Sequence, residues 1–175
     1  GQRLTFPDIR LIYWCGGNPF HHHQDLNRLV AAWQRPETIV VHEPYWNSLA
    51  RHADIVLPAT TSLERNDIGR SSNDPHIVAM PQVVPPPGEA RNDYDMFRAL
   101  ASRLGFEDQF TEGRSEMEWL RHLYDDFRQH VARDDIELPD FGAFWHLNIL
   151  ELPLEDNDRV LLEDFRRNPQ EYPLP

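Results

Sequence analysis

Cysteine is nearly absent: Cys15 stands alone among 175 residues. One thiol builds neither a disulfide framework nor a thiolate metal site, and its place closing an apolar run assigns it to a buried strand end. Positive charge is scarce as well, with 17 Lys and Arg against 29 Asp and Glu and a formal net charge of −12. A phosphate backbone has to be met by clustered cations, so this balance excludes a general nucleic-acid binder. No apolar run approaches the roughly 20 residues of a membrane span, and no signal peptide is visible. GxSxG, HExxH, a P-loop lysine and CxxC are all missing, so there is no self-contained catalytic constellation. What is present suits a globular chain: 40% hydrophobic and 26% charged residues, enough for one domain with a core. The 15 prolines fall in linkers and towards the C-terminus. A start on Gly1 without Met, and an end on Tyr172-Pro173-Leu174-Pro175, point to a segment of a longer protein.

The most organised stretch is Ile9–Asp25, IRLIYWCGGNPFHHHQD. Ile9–Trp14 reads as an apolar strand that ends in Gly16-Gly17-Asn18-Pro19. Glycine lets the backbone turn sharply and lets a ligand approach it closely. Asn18 tolerates turn conformations, and Pro19 suits a turn or a first helical position. Strand, turn and helix start together aim backbone N–H groups at one spot, an arrangement suited to phosphate.

Leu26, Leu29, Val30 and Trp33 then recur at helical spacing, and the helix ends before Pro36. Thr38–Val41 is a β-branched strand stopping at His42-Glu43-Pro44. Tyr45–His52 is a short helix or turn, and Asp54–Leu57 a third strand closed by Pro58. Strands alternating with short helices predict βαβ units, a Rossmann-like parallel sheet with flanking helices, whose strand ends collect on one edge. Ala59–Pro75 reads as a long polar loop, expected to be mobile without ligand. His76–Val84 resumes as a strand broken by Pro85-Pro86-Pro87-Gly88. Asn92 opens a helix with Phe97, Leu100, Ala101 and Leu104 on its buried face and Gly105 as its stop. Ser115 and Glu118 form a capping box for the longest helix, striped by Met117, Leu120, Tyr124, Phe127 and Val131. Beyond Asp134 the chain is Pro-broken and acidic, a helical and extended arm packed on this domain or on a neighbouring one, with Phe141, Phe144 and Trp145 as its anchors. The division expected is an α/β cofactor-binding domain over residues 1–110 and a helical extension with a Pro-rich arm over 111–175.

His21-His22-His23 invites a metal, but adjacent helical positions point about 100° apart and cannot converge on one ion. One imidazole facing a ligand at the turn is the better reading, and no metal-ligating residue is assigned. Glu43 follows the second strand, where dinucleotide-binding folds place an acid on ribose hydroxyls; a solvated carboxylate before proline is the plainer alternative. Arg65, in Glu64-Arg65-Asn66-Asp67, suits a phosphate or a nucleobase, yet an arginine flanked by acids is commonly an ion-pair element. Asp95 is the third residue after Asn92 as N-cap, a place where a carboxylate complements the helix dipole. The same carboxylate could accept the two parallel donors of guanine.

Three ordered strings, IRLIYWCGGNPFHHHQDLNRL, TIVVHEPYW and ARHADIVLPATTSLERNDIG, resemble the molybdopterin oxidoreductases of the dimethyl sulfoxide reductase family. The branch they resemble holds dimethyl sulfoxide, trimethylamine-N-oxide and biotin sulfoxide reductases. The likeness continues through SSNDPHIVAM and FTEGRSEMEWLRHLY and so covers essentially the whole chain. It implies a much longer parent that holds two molybdopterin guanine dinucleotides around one molybdenum, of which this segment resembles the third domain. The guanosine-diphosphate end of one pterin cofactor would then meet Asn18 and His22 at the turn, His42 and Glu43 near the ribose, Arg65 from the loop and Asp95 at guanine. The serine ligand of molybdenum and the last domain have no counterpart here, so no catalytic residue is assigned and the segment alone should not turn over substrate. The implied reaction is oxygen-atom transfer from a small S-oxide or N-oxide, with the remaining domains of the parent as partners. The branch has periplasmic and cytoplasmic members, which leaves the compartment open.

Two rivals stand beside this reading. An autonomous guanine-nucleotide-binding or regulatory module would use the same strand-end geometry and bind GDP or GTP without molybdenum. A His-dependent metal hydrolase would need zinc on His21–His23. Surface left apolar by absent domains also makes self-association of the segment an expectation.

Overall fold

β-Branched and apolar residues set between capped helices build a parallel sheet: β1 Leu11–Cys15, β2 Thr38–Glu43 and β3 Ile55–Pro58. The computed structural model describes residues 7–71, 74–153 and 162–172. The sheet order is β1-β2-β3, with Tyr13 opposite Val40 and Val40 opposite Ile55. The connections carry α1 Pro19–His22, α2 Leu26–Trp33 and α3 Ser48–Arg51, all packed on one face. Phe20, Trp33 and Leu49 from these helices bury Ile39 and Val41 of the central strand. Side-chain oxygens of Asn18, Asp25 and Asn47 accept the first free N–H groups of the three helices.

A second, antiparallel sheet was not foreseen. β4 Asp67–Arg70 pairs with β5 His76–Met80, which pairs with β6 Ile149–Glu151. β4 lies inside the stretch read as a loop from 59 to 75. Its composition is polar because it is a half-exposed edge, and only Ile68 turns towards the core. Ser72 and Asn73 of that stretch lie outside the described residues. The strand expected over His76–Val84 ends at Met80, since Pro81 cannot donate to a ladder. The N–H groups of Val83 and Val84 instead reach the carbonyl of Leu63, at 2.9 and 3.1 Å.

α4 Asp93–Leu104 starts on Asn92 and stops on Gly105, whose φ of +82° continues no helix. Its expected buried face is fully buried only at Ala101; Phe97 is half-buried, and Leu100 and Leu104 are exposed. Cys15, expected inside, is exposed: its side chain is on the sheet face away from α1–α3. After α5 Glu107–Thr111 comes α6 Glu116–Val131, opened by the capping box of Ser115 and Glu118. Leu120 and Tyr124 of α6 join Ile77, Ala79 and Leu152 in a second buried cluster, with Phe141 and Phe144 from α7 Phe141–Leu147. The arm is thus anchored by the expected aromatics. Phe144 is fully buried and stacks on Tyr124 with ring centroids 4.4 Å apart. A short α8, Glu163–Arg167, lies near the end of the chain; residues 154–161 and 173–175 of the expected arm lie outside the described residues.

Truncating Phe144→Ala should cost about 3–5 kcal/mol, measured by urea denaturation followed by circular dichroism. Glu118 offers a pH test. Hydrogen bonds from the Ser115 side chain, then from its backbone N–H, hold the carboxyl below its ordinary range. The folded value is lowered, so this contribution is present above the unfolded value and lost as pH falls through the folded one. The melting temperatures of the wild type and Glu118→Gln should therefore differ at neutral pH and converge in acid.

Candidate functional site at the strand ends

All three parallel strands deliver their carboxyl ends to one cleft of about 380 Å³. β1 contributes Gly16, Gly17 and Asn18, β2 contributes His42 and Glu43, the chain after β3 contributes Ala59 and Thr60, and α4 brings Asp93. The two glycines have φ of +79° and +66°, a left-handed bend that their lack of Cβ permits. The Trp14 indole N–H donates to Gly16 O at 2.9 Å and fixes the bend. Asn18 is buried, and its side-chain oxygen accepts the Phe20 N–H at 3.0 Å. The helix that follows is a single turn, too short for a substantial macrodipole. An anion placed here would be met by individual donors, not by a helix dipole.

His42 organises the site. Its side chain is 1% exposed, and Nδ1 lies 2.6 Å from Asp93 Oδ1. A carboxylate only accepts, so Nδ1 donates to Asp93, and Nε2 lies 2.8 Å from the Tyr13 hydroxyl, within hydrogen-bond distance. Burial, with the nearby Cys15 and Asp93 adding to it, holds the Tyr13 hydroxyl above its ordinary value and keeps it a donor. Phe97 of α4 closes over both rings.

Two buried polar atoms in the cleft are left over: Asn18 Nδ2 and Thr60 Oγ1 have no hydrogen-bond partner among the described residues. Native interiors rarely leave such atoms unpaired, and the Glu43 carboxylate, on a residue 8% exposed, lines the same cleft.

The structure brings Asn18, His42 and Glu43 together. Arg65 stands next to them: Nη1 donates to Thr60 O at 2.9 Å, while Nε and Nη2 both hold Asp67 Oδ2. It lines an adjoining cavity of about 460 Å³ with Asn92 and Asp93. Of the histidine run it is His21 that lines the cleft; His22 is exposed on the same short helix. Asp95 shares the first turn of α4 with Asp93, but opens on a neighbouring groove beside Arg91 and Arg98, 3.8 Å from Arg98. Tyr13, Thr60 and Asp93 escaped the sequence reading. The one usable signal was for Asp93, which directly follows the N-cap at the mouth of α4. Among the described residues no three His, Cys, Asp or Glu are grouped to hold a metal ion, and no helix is long and apolar enough to cross a membrane.

Comparison with known proteins decides the lineage. The model of the family described as molybdopterin oxidoreductase matches residues 2–103. This chain belongs to that family. It is 51% identical over 99% of its length to a biotin sulfoxide reductase from Cereibacter sphaeroides, covering 23% of that protein. It is 51% identical over 99% of its length to a dimethyl sulfoxide/trimethylamine N-oxide reductase from Rhodobacter capsulatus, covering 22% of it. A trimethylamine-N-oxide reductase from Haemophilus influenzae is 46% identical over the same share of this chain, again with 22% of its own length covered. The chain thus spans somewhat under a quarter of these relatives. Acetylene hydratase from Pelobacter acetylenicus superposes with a TM-score of 0.63 at 20% identity, covering 84% of this chain and 19% of that one, and shows the shared fold.

If His42 ties α4 to the sheet, Asp93→Ala should destabilise this molybdopterin oxidoreductase segment by about 1–3 kcal/mol by leaving a buried N–H unpaired. Chemical denaturation measures it, and unchanged stability would remove His42 from that role.

Proposed function

We propose that the cleft holds the guanosine-diphosphate end of a molybdopterin guanine dinucleotide, one of two around a molybdenum in a longer S-oxide or N-oxide reductase. The observation that carries this is the set of unpaired buried groups gathered at the parallel strand ends. Asn18 Nδ2 and Thr60 Oγ1 are partners for diphosphate oxygens, and the Glu43 carboxylate suits a ribose diol. An open α/β sheet binds its ligand at this edge as a rule. His42, already bonded through both ring nitrogens, positions Asp93 and the wall of the cleft. Arg65, anchored on Thr60, reaches the diphosphate side, and His22 flanks the turn. Asp95, one step along α4 from the cleft, accepts the N1–H and exocyclic amine of guanine.

Molybdenum, when bound, supplies the oxygen-atom-transfer chemistry. The residues of this chain hold and orient the cofactor. The small S-oxide or N-oxide and the catalytic groups meet in other domains of the parent. The names of the relatives, reductases of biotin sulfoxide, dimethyl sulfoxide and trimethylamine N-oxide, support that substrate class.

The parent protein purified from its host should contain molybdenum, release GMP on acid hydrolysis and oxidise a reduced dye when given one of these oxides. Glu43→Ala should lower the GMP retained per chain at least about tenfold, equivalent to about 1.4 kcal/mol. Full retention in the variant, or a wild type without releasable GMP, would sink the assignment.

A further inference from the structure

Three consecutive residues at the mouth of α4 are each tied to a different part of the molecule. Asn92 Oδ1 accepts the Tyr94 N–H at 3.1 Å and caps the helix, while its amide Nδ2 donates to Glu116 Oε1 at the start of α6. Asp93 Oδ1 takes the His42 Nδ1–H at 2.6 Å, at the end of β2. The Tyr94 hydroxyl donates to Arg114 O at 2.5 Å, in the chain that enters α6. The residue that follows is different. The side chain of Asp95 is 55% exposed and opens on a groove of about 600 Å³ with Arg91 and Arg98.

The bond from Asn92 to Glu116 is more than capping requires. An N-cap side chain satisfies a free N–H of its helix with its oxygen alone. Asn18, Asp25, Asn47 and Asp140 cap their helices in that way, and Ser115 is held by Glu118 of its own helix. Among the described residues only Asn92 has its capping side chain bonded to a side chain of another helix. That partner is a half-buried carboxylate. Burial, and after it the charge of Asp95, hold the Glu116 carboxyl above its ordinary value, with the Asn92 bond acting against them. Taking a charge out of water costs free energy, so apolar packing does not account for a carboxylate there.

We propose that Glu116 is a positioning residue for nucleotide recognition: by fixing the Asn92 amide it sets the first turn of α4, and with it the direction from which Asp95 meets guanine. With Asn92, Asp93 and Tyr94 anchored on α6, β2 and Arg114, the turn can neither rotate nor slide without breaking a bond. A carboxylate that accepts the parallel N1–H and exocyclic N–H of guanine needs both oxygens in line with them, and hydrogen bonds weaken steeply off line. A small rotation of the turn therefore removes one of the two. Adenine offers an acceptor where guanine offers the N1–H, so this same pair of bonds is what tells the bases apart. Glu116 itself touches no ligand; it acts through Asn92, as groups behind a binding residue do when they lock its geometry. The inference rests on the reading of Asp95 as the guanine acceptor.

Competition of GDP against ADP on the full-length parent, purified free of its cofactor, tests it, with circular dichroism to follow folding. The wild type should prefer GDP. Glu116→Ala should lower that preference at least about tenfold by weakening GDP and leaving ADP as it was. Asn92→Asp, which sets two carboxylates against each other, should do the same. The double variant Asn92→Asp/Glu116→Gln exchanges donor and acceptor across the bond while keeping a good cap, and should restore the preference. Undiminished preference in Glu116→Ala or in Asn92→Asp would overturn the proposal. Equal loss of GDP and ADP would make Glu116 a structural residue only and overturn it too. Should Glu116→Ala not fold, the double variant decides: folded but unselective, it overturns the role of the bond. A wild type that binds no GDP, or binds ADP as tightly, would instead sink the guanine reading of Asp95 on which the proposal stands.

Discussion

A buried imidazole with both nitrogens satisfied is the constraint on which this structure turns. His42 sits at the end of the central strand, is hydrogen-bonded to the Tyr13 hydroxyl of the neighbouring strand and donates to Asp93 at the mouth of α4. Those two bonds fix the ends of β1 and β2 relative to a helix that follows 50 residues later in the chain. Phe97 completes the contact with an apolar cover, which strengthens the bonds by excluding water. Without this clamp, α4 would rest on Ala101 and half-buried contacts alone, and the cleft would lose one wall.

The clamp also explains which polar groups remain available. His42 uses both ring nitrogens, one on Asp93 and one on Tyr13, so it shapes the cleft and offers no ring nitrogen to a ligand. Asn18, Thr60 and Glu43 have no such mutual arrangement. Each unsatisfied buried polar group costs about 1–3 kcal/mol relative to a paired one. A segment holding two such atoms in one cleft is less stable than it would be with apolar residues there.

How much of this could be read beforehand depended on range. The turn at Gly16-Gly17-Asn18, the strand stop at His42-Glu43, the cap at Asn92 and the box at Ser115 are local devices, and each was legible from a few adjacent residues. β4 was not, because Asp67–Arg70 is a strand only by pairing with β5, and its exposed side carries the polar pattern of a loop. The exposure of Leu100, Leu104 and Cys15 was hidden for a similar reason: an apolar side chain in the sequence does not say what, if anything, packs against it. At the site, Asn18, His42 and Glu43 lie at strand ends and come together as the alternation of elements requires. Thr60 and Asp93 depend on how α4 docks after an excursion through a second sheet, which no local pattern encodes.

The single turn after Gly16-Gly17 gives the last step. Dinucleotide folds that rely on a long helix after the first strand draw on its dipole and on a run of aligned N–H groups. Here α1 ends after four residues, so those aids are small, and the polar groups lining the cleft come instead from β2, the chain after β3 and α4. A site assembled from so many separate stretches is only as rigid as the sheet beneath it, so the pairing of β1 with β2 and the His42–Asp93 bond set how well the cleft keeps its shape.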